Sequence, residues 1–216
     1  MAPHNPGRHQ RGGDHLPIDW NTPYTGTPPW DIGRPQRPFV ELVETGDLSG
    51  TVLDVGCGTG DLLLLMAELG LQATGVDVAP AAIARAIAKA QERGLQARLL
   101  TQDALTVDSL GETFDVVLDC GFFHVLTDGE RERFAEVLRR VTHPGSRYFM
   151  LCFSDTVPGD SGPRRVSQDE IRSTFDDGFA VEEIRPAYFE ATFLTQPVPA
   201  WLVRIVRVPD GAASYR

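Results

Sequence analysis

Val52-Leu53-Asp54-Val55-Gly56-Cys57-Gly58-Thr59-Gly60 sets the architecture of the whole chain. Thr51–Val55 reads as a short apolar strand, and the glycines after it let the backbone pass close to a ligand where a Cβ would clash. The leucine-rich run from about Gly60 to Leu69 reads as a helix that Gly70 ends. Strand, glycine turn and helix in that order open a βαβ unit.

The pattern continues outward. Gln72–Asp77 is a second strand, and Pro80 suits the first turn of a helix running to Arg93, where Gly94 stops it. Ala97–Thr101, a short helix near Ala104–Leu110 and Phe114–Asp119 follow. Thr127 with Glu130 has the capping-box spacing for a helix to about Val141. Arg147–Phe153 is the fifth strand, and Ser167 with Glu170 repeats the box before Ile171–Phe175. Ala180–Ala191 and Ala200–Val208 are two long strands with no helix between them, which suits an antiparallel hairpin through Thr195–Pro199. The expected fold is therefore α/β: a doubly wound, mainly parallel sheet of seven strands with an antiparallel C-terminal strand.

Composition narrows the function. The 216 residues are 42% hydrophobic and 23% charged, ordinary for a folded protein. A net charge of −10 repels phosphate backbones and anionic headgroups, so nucleic acid and membrane are not expected partners. Apolar runs such as Leu62–Ala67 fall far below the ~20 residues of a membrane helix, the N-terminus carries no apolar signal core, and a cytoplasmic protein is expected. Cys57, Cys120 and Cys152 are an odd count without a CxxC pair, which argues for free thiols. Residues 1–17 lack periodicity and read as a disordered tail; their His4, His9 and His15 lack ligand spacing, so no metal is expected. The prolines of Ile18–Pro38 exclude a regular helix there. Nothing fixes the oligomeric state, and a monomer is the default.

Four motifs carry chemistry, each at the carboxyl end of a predicted strand. The G-x-G-x-G spacing at Gly56, Gly58 and Gly60 departs from the G-x-G-x-x-G of dinucleotide sites, which opposes a nicotinamide-dependent oxidoreductase. Asp54 beside that turn suits an ammonium group better than a diphosphate. Asp77 is placed to accept both hydroxyls of a ribose. Gln102-Asp103-Ala104 offers a carboxylate and amides to an adenine edge, and Asp119-Cys120-Gly121-Phe122-Phe123-His124 stands where such sheets keep reacting groups.

Val52–Gly60 with Asp77, Asp103 and Asp119 in register resembles the S-adenosylmethionine-binding core of class I methyltransferases over about Thr51–Phe153. Pro29-Trp30-Asp31-Ile32-Gly33-Arg34-Pro35-Gln36 and Phe123-His124-Val125-Leu126 resemble the thiopurine methyltransferase-like group. Leu151–Asp155 and Gly162–Val166 resemble the heterocyclic toxin methyltransferases that O-methylate hydroxyquinolones. The resemblance implies that Gly56, Gly58 and Gly60 line the methionine part of S-adenosylmethionine, that Asp77 takes the ribose, and that Asp119 with Cys120 approaches the amino-acid moiety. Asp103 and Ala104 would hold the adenine, with Trp30 and Gly33 closing from above, and Asp54, Cys57 and Val78 are expected among the cofactor-binding residues. It divides the chain into the tail, an N-terminal lid with a lead-in helix over 18–50, and a methyltransferase domain over 51–216. Cys-Gly-Phe-Phe-His stands where base and glutamine methylases carry Asn/Asp-Pro-Pro-Tyr, which disfavours those substrates.

The expected acceptor is a small, flat aromatic or heterocyclic molecule against Trp20, Tyr24, Phe122, Phe123 and Tyr188, with Phe189 and Phe193 nearby. A hydroxyl oxygen is the expected target, with thiol or thiopurine S-methylation as the alternative; a catalytically silent adenosylmethionine-binding module is a third. His124 is the candidate base, since an ordinary imidazole pKa near 6.5 suits proton removal and such a base adds about 10²–10⁴-fold. The competing reading has it packing beside the helix that starts near Thr127.

Overall fold

Runs of apolar and β-branched residues form the strands, while capping boxes open two of the helices between them and a left-handed glycine, Gly94, closes another. The computed structural model of the chain describes residues 19–159, 162–192 and 196–209. The tail expected over 1–17, and Phe193, lie outside them. The elements are α1 (Arg37–Glu44), β1 (Thr51–Val55), α2 (Asp61–Glu68), β2 (Gln72–Asp77), α3 (Pro80–Arg93), β3 (Arg98–Thr101), β4 (Phe114–Cys120), α4 (Asp128–Val141), β5 (Thr142–Phe153), α5 (Gln168–Thr174), β6 (Phe179–Phe189) and β7 (Val198–Arg207). Short 3₁₀ turns occupy Thr22–Thr25, Ala104–Leu110 and Phe123–Val125. Both predicted capping boxes form, Thr127 with Glu130 and Ser167 with Glu170.

Among the described residues the strands make one seven-stranded sheet in the order β3-β2-β1-β4-β5-β7-β6. The first five pair in parallel, and β7 runs antiparallel to both β5 and β6. Strand alternation sends successive side chains to opposite layers. Val117, Tyr148 and Met150 meet Phe134, Leu138, Ile171 and Phe175 on the α4/α5 face. Leu118, Phe149 and Leu151 meet Phe39, Leu42, Leu63 and Met66 on the α1/α2 face.

One element differs from its sequence reading. β5 begins at Thr142, directly after α4, ahead of the start expected at Arg147. Ser146 Oγ donates to the Phe114 carbonyl and accepts the His143 amide, which ties the segment to the start of β4 across a register irregularity. Strand order reverses between β1 and β4, so a crevice opens at their carboxyl ends, where sheets of this kind bind ligands.

Candidate active site

The turn after β1 approaches its neighbours too closely for side chains. Gly56, Gly58 and Gly60 all take positive φ, 63°, 55° and 83°. A Cβ on Gly60 would stand 2.9 Å from the Ala86 Cβ, so this glycine lets α2 and α3 meet. Asp77 steadies the same turn, its Oδ2 accepting the Gly58 amide at 2.9 Å and its Oδ1 the Ala79 amide at 2.8 Å. Val78 beside it is half exposed, an apolar surface next to a carboxylate.

Asp54 differs. It is 1% exposed and its Oδ2 has no hydrogen-bond partner among the described residues. Burial, followed by the charges of Asp119 and Asp77, pushes its carboxyl well above the usual carboxylate range. A buried carboxylate without a partner is expensive to keep ionised, and a cationic ligand relieves that penalty. The half-buried thiols of Cys57 and Cys120 are both pushed up by burial and the neighbouring aspartates, so neither is a reactive thiolate.

The N-terminal segment straps this edge of the sheet. Asn21 Oδ1 accepts the Ala81 amide at the start of α3, and Arg85 donates to the Tyr24 carbonyl. Tyr24 is buried; its hydroxyl accepts the Trp30 indole N–H at 3.2 Å and lies 3.2 Å from where a Gly58 Cβ would be. Burial pushes that hydroxyl up to about 12. Trp20 meets Trp30 edge-on. Further along, Gly33 turns with φ 71°, the Pro29 carbonyl accepts the Thr192 amide, Arg34 grips Glu190 bidentately, and the Gln36 amide pairs with both backbone groups of Glu190. The segment thus reaches from α3 to the end of β6.

The loop after β4 is differently made. Asp119 is fully buried, and its carboxylate accepts the amides of Phe122 and Phe123 and the Tyr148 hydroxyl at 2.7, 3.0 and 2.8 Å. Burial pushes it up to about 7. Its side chain braces the loop, and all three of these donors come from the protein. Phe123 is likewise core: it is fully buried, with the Arg131 guanidinium 4.5 Å over its ring. Phe122 stacks edge-on with Phe134 and lies against Gly56. Tyr188 projects to the opposite face of β6 from Phe189 and is 60% exposed, so it does not join them. Asp103 is an exposed cap, its Oδ1 accepting the Leu105 amide, beside buried Ala104.

His124 is 5% exposed, packed between the rings of Phe153 and Phe189. Its Nδ1 accepts the Phe153 amide at 3.1 Å. Burial and, secondarily, the Arg131 charge hold it down to about 3, so the ring is neutral. A neutral imidazole has one lone-pair nitrogen, and here that nitrogen is taken. The general-base role expected of His124 does not fit this geometry.

Sequence reading missed Arg131, Tyr148 and Asn21, and gave Gln36 no role of its own. Arg131 had a signal: it falls on the same helical stripe as Phe134, Leu138 and Val141. The described residues hold no cluster of His, Cys, Asp and Glu suited to a metal, and no helix long and apolar enough to cross a membrane. A shallow depression lined by Thr51, Gln72, Thr74 and Arg98 lies at the opposite, amino end of the sheet and contains none of the candidate residues.

Comparison with known proteins places these features in context. The family model described as "Methyltransferase domain" matches residues 52–145. A 2-heptyl-1-hydroxyquinolin-4(1H)-one methyltransferase of Mycobacteroides abscessus is 36% identical over 163 residues, covering 74% of this chain and 72% of that protein. A probable thiol methyltransferase 2 of Arabidopsis thaliana is 31% identical over 148 residues, covering 67% and 65%. A solved structure from work on the conversion of a disulfide bond into a thioacetal group during echinomycin biosynthesis superposes with a TM-score of 0.77 at 35% identity, covering 84% of this chain and 86% of that one.

Proposed function

Because the chain belongs to the class I S-adenosylmethionine-dependent methyltransferases, we propose that it methylates a hydroxyl oxygen on a small, flat aromatic or heterocyclic acceptor of the hydroxyquinolone kind. The observation that carries the reading of the site is Asp54 Oδ2, buried and unpartnered beside the glycine turn. A ligand bearing both an ammonium and a sulfonium fits this crevice, because a cation beside the unpartnered Asp54 oxygen favours the ionised carboxylate that burial alone opposes.

Bound S-adenosylmethionine supplies a methyl group on a cationic sulfur, already activated for direct displacement. In this reading Gly56, Cys57, Gly58 and Gly60 give backbone approach and Asp54 receives the ammonium. Asp77 and Val78 take the ribose side, with Asp103 and Ala104 at the adenine edge. Residues 18–50 act as the lid, Trp30 and Gly33 closing over the cofactor, and the fold from 51 onward is the catalytic domain. Tyr24 and Trp20 support that lid, since Tyr24 packs on the glycine turn. The chain's contribution to rate is alignment and exclusion of water, and proximity and orientation supply up to ~7–11 kcal/mol when geometry is right.

The acceptor side rests on the aromatic walls of Phe153 and Phe189 and on the 36% identity to a hydroxyquinolone methyltransferase. The thiol reading keeps its place through the plant relative. Purified protein is to be assayed with hydroxyquinolones and aromatic thiols, with products identified by mass spectrometry. Methyl ethers from the hydroxyquinolones are expected; turnover confined to thiols would overturn the oxygen reading.

A further inference from the structure

In the loop after β4, the outer nitrogen of one side chain has no partner among the described residues. His124 Nδ1 accepts the Phe153 amide, so the proton of the neutral ring sits on Nε2, and Nε2 has no hydrogen-bond partner among the described residues. Nε2 lies 3.2 Å from the point a Cβ on Gly121 would occupy, and Phe189 Cζ lies 3.1 Å from the same point. A side chain on this glycine, which is left-handed with φ 89°, would press against Nε2, so the absence of a Cβ leaves room beside that nitrogen at the end of β4.

We propose that His124 is a hydrogen-bond donor to the acceptor's oxygen, and that the enzyme takes acceptors that arrive already ionised: N-hydroxy heterocycles and acidic phenols. The inference rests on the oxygen reading above. A fixed neutral donor has the chemistry to hold an oxyanion and lacks a lone pair to remove a proton. The acceptor's oxygen provides the electron pair of the new O–CH₃ bond, the pair of the broken bond stays with the departing sulfur, and no proton leaves during transfer.

Among the described residues the surroundings supply no substitute base. From α4, Arg131 donates through Nε to the Phe123 carbonyl and is paired to Glu170 of α5. Its positive charge opposes protonation of the imidazole. From β4, Asp119 is sealed by three donors, and Cys120 is a thiol pushed up by burial. From β5, Cys152 is buried and pushed up in the same way. Phe153 and Phe189 present only rings.

Two substitutions separate the ring's two nitrogens. His124→Asn keeps an acceptor in reach of the Phe153 amide and loses the outer donor; His124→Gln keeps a donor at the outer position. On a hydroxyl acceptor that the wild type turns over, His124→Asn should lose roughly 10- to 100-fold in kcat, the effect of removing one donor to a developing or full charge. His124→Gln should recover much of that loss. Across acceptors of graded acidity, the pH midpoint of kcat/KM should follow the acceptor's own pKa. Independently of turnover, ¹⁵N NMR of the histidine should show the neutral Nε2–H form from pH 5 to 9. The absorbance of an acidic phenol bound with S-adenosylhomocysteine should titrate at lower pH than the free phenol. A pH midpoint fixed across the series, an Asn variant equal to wild type, an Nδ1–H tautomer or an unshifted phenol would overturn the donor role while leaving oxygen methylation intact. Absence of hydroxyl turnover with the cofactor bound would overturn both.

Discussion

Asp54 and Asp119 stand near the carboxyl ends of neighbouring strands, with Asp54 opposite Leu118 and Val55 opposite Asp119. Both are buried and both are pushed up by burial. Their bonding is opposite. Asp119 has three donors from its own chain, two of them amides of the loop it precedes. Asp54 keeps an oxygen for which the described residues provide nothing. The contrast separates two states of a strand-end carboxylate: Asp119 ties down the loop that carries His124, and Asp54 keeps the unpartnered oxygen to which the proposal above assigns a cation.

The comparison breaks most visibly in stability. Asp119→Ala leaves two amides and the Tyr148 hydroxyl without their acceptor, and should destabilise the protein by about 3–5 kcal/mol in chemical denaturation. The titration has a definite sign. A carboxyl whose folded pKa rises from 3.8 to about 7 binds its proton more tightly when folded. Its stabilising contribution is complete below the unfolded value and is lost as pH rises between about 4 and about 7. Asp119→Asn cannot titrate, so wild-type stability should fall relative to this variant across that window. Parallel curves would show that Asp119 keeps an ordinary pKa.

On the other side of the contrast, Asp54→Asn replaces a buried carboxyl whose Oδ2 has no partner among the described residues and whose ionisation burial opposes. Stability should hold or rise, while affinity for S-adenosylmethionine falls by about 1.5–3 kcal/mol in calorimetric titration. Binding should also release a proton wherever the free protein holds one on Asp54, because a cation beside the carboxyl lowers its pKa. Titrations in buffers of different ionisation enthalpy measure that proton, and Asp54→Asn should abolish it. Asp77→Ala is the intermediate case, since this carboxylate both braces Gly58 and Ala79 and retains lone pairs. A loss of about 1–3 kcal/mol in affinity is expected, and unchanged affinity would remove Asp77 from the site.

That contrast marks how far the sequence could be read. Element identity followed from local chemistry: Gly94 ends α3 in the left-handed conformation, and the boxes at Thr127 and Ser167 start α4 and α5. Partner choice did not, because Asp54 and Asp119 look alike as aspartates at strand ends, and only the fold brings Tyr148, 29 residues away, to one of them. Tyr188 was legible in principle, since strand alternation with Phe189 already puts it on the other face. His124 was not, since the Phe153 amide that decides its tautomer comes from another strand.

The smallest effect belongs to the strap, where an exposed contact and a buried one hold the same residue. Arg34 grips Glu190 with two nitrogens at 3.0 and 2.9 Å, but the side chains are 55% and 30% exposed. Exposed pairs are worth about 0.2–1 kcal/mol, because water solvates the separated charges and salt screens them. Gln36, by contrast, is 4% exposed and satisfies both backbone groups of Glu190. The strap's attachment to β6 should therefore survive loss of the charge. Arg34→Ala should lower stability by less than about 1 kcal/mol, and that difference should vanish in high salt. Affinity for S-adenosylmethionine should stay within about twofold of wild type, well under 1 kcal/mol. A larger loss of affinity from Arg34→Ala than from Asp54→Asn would mean that closure of the strap, rather than the buried carboxylate, sets cofactor binding.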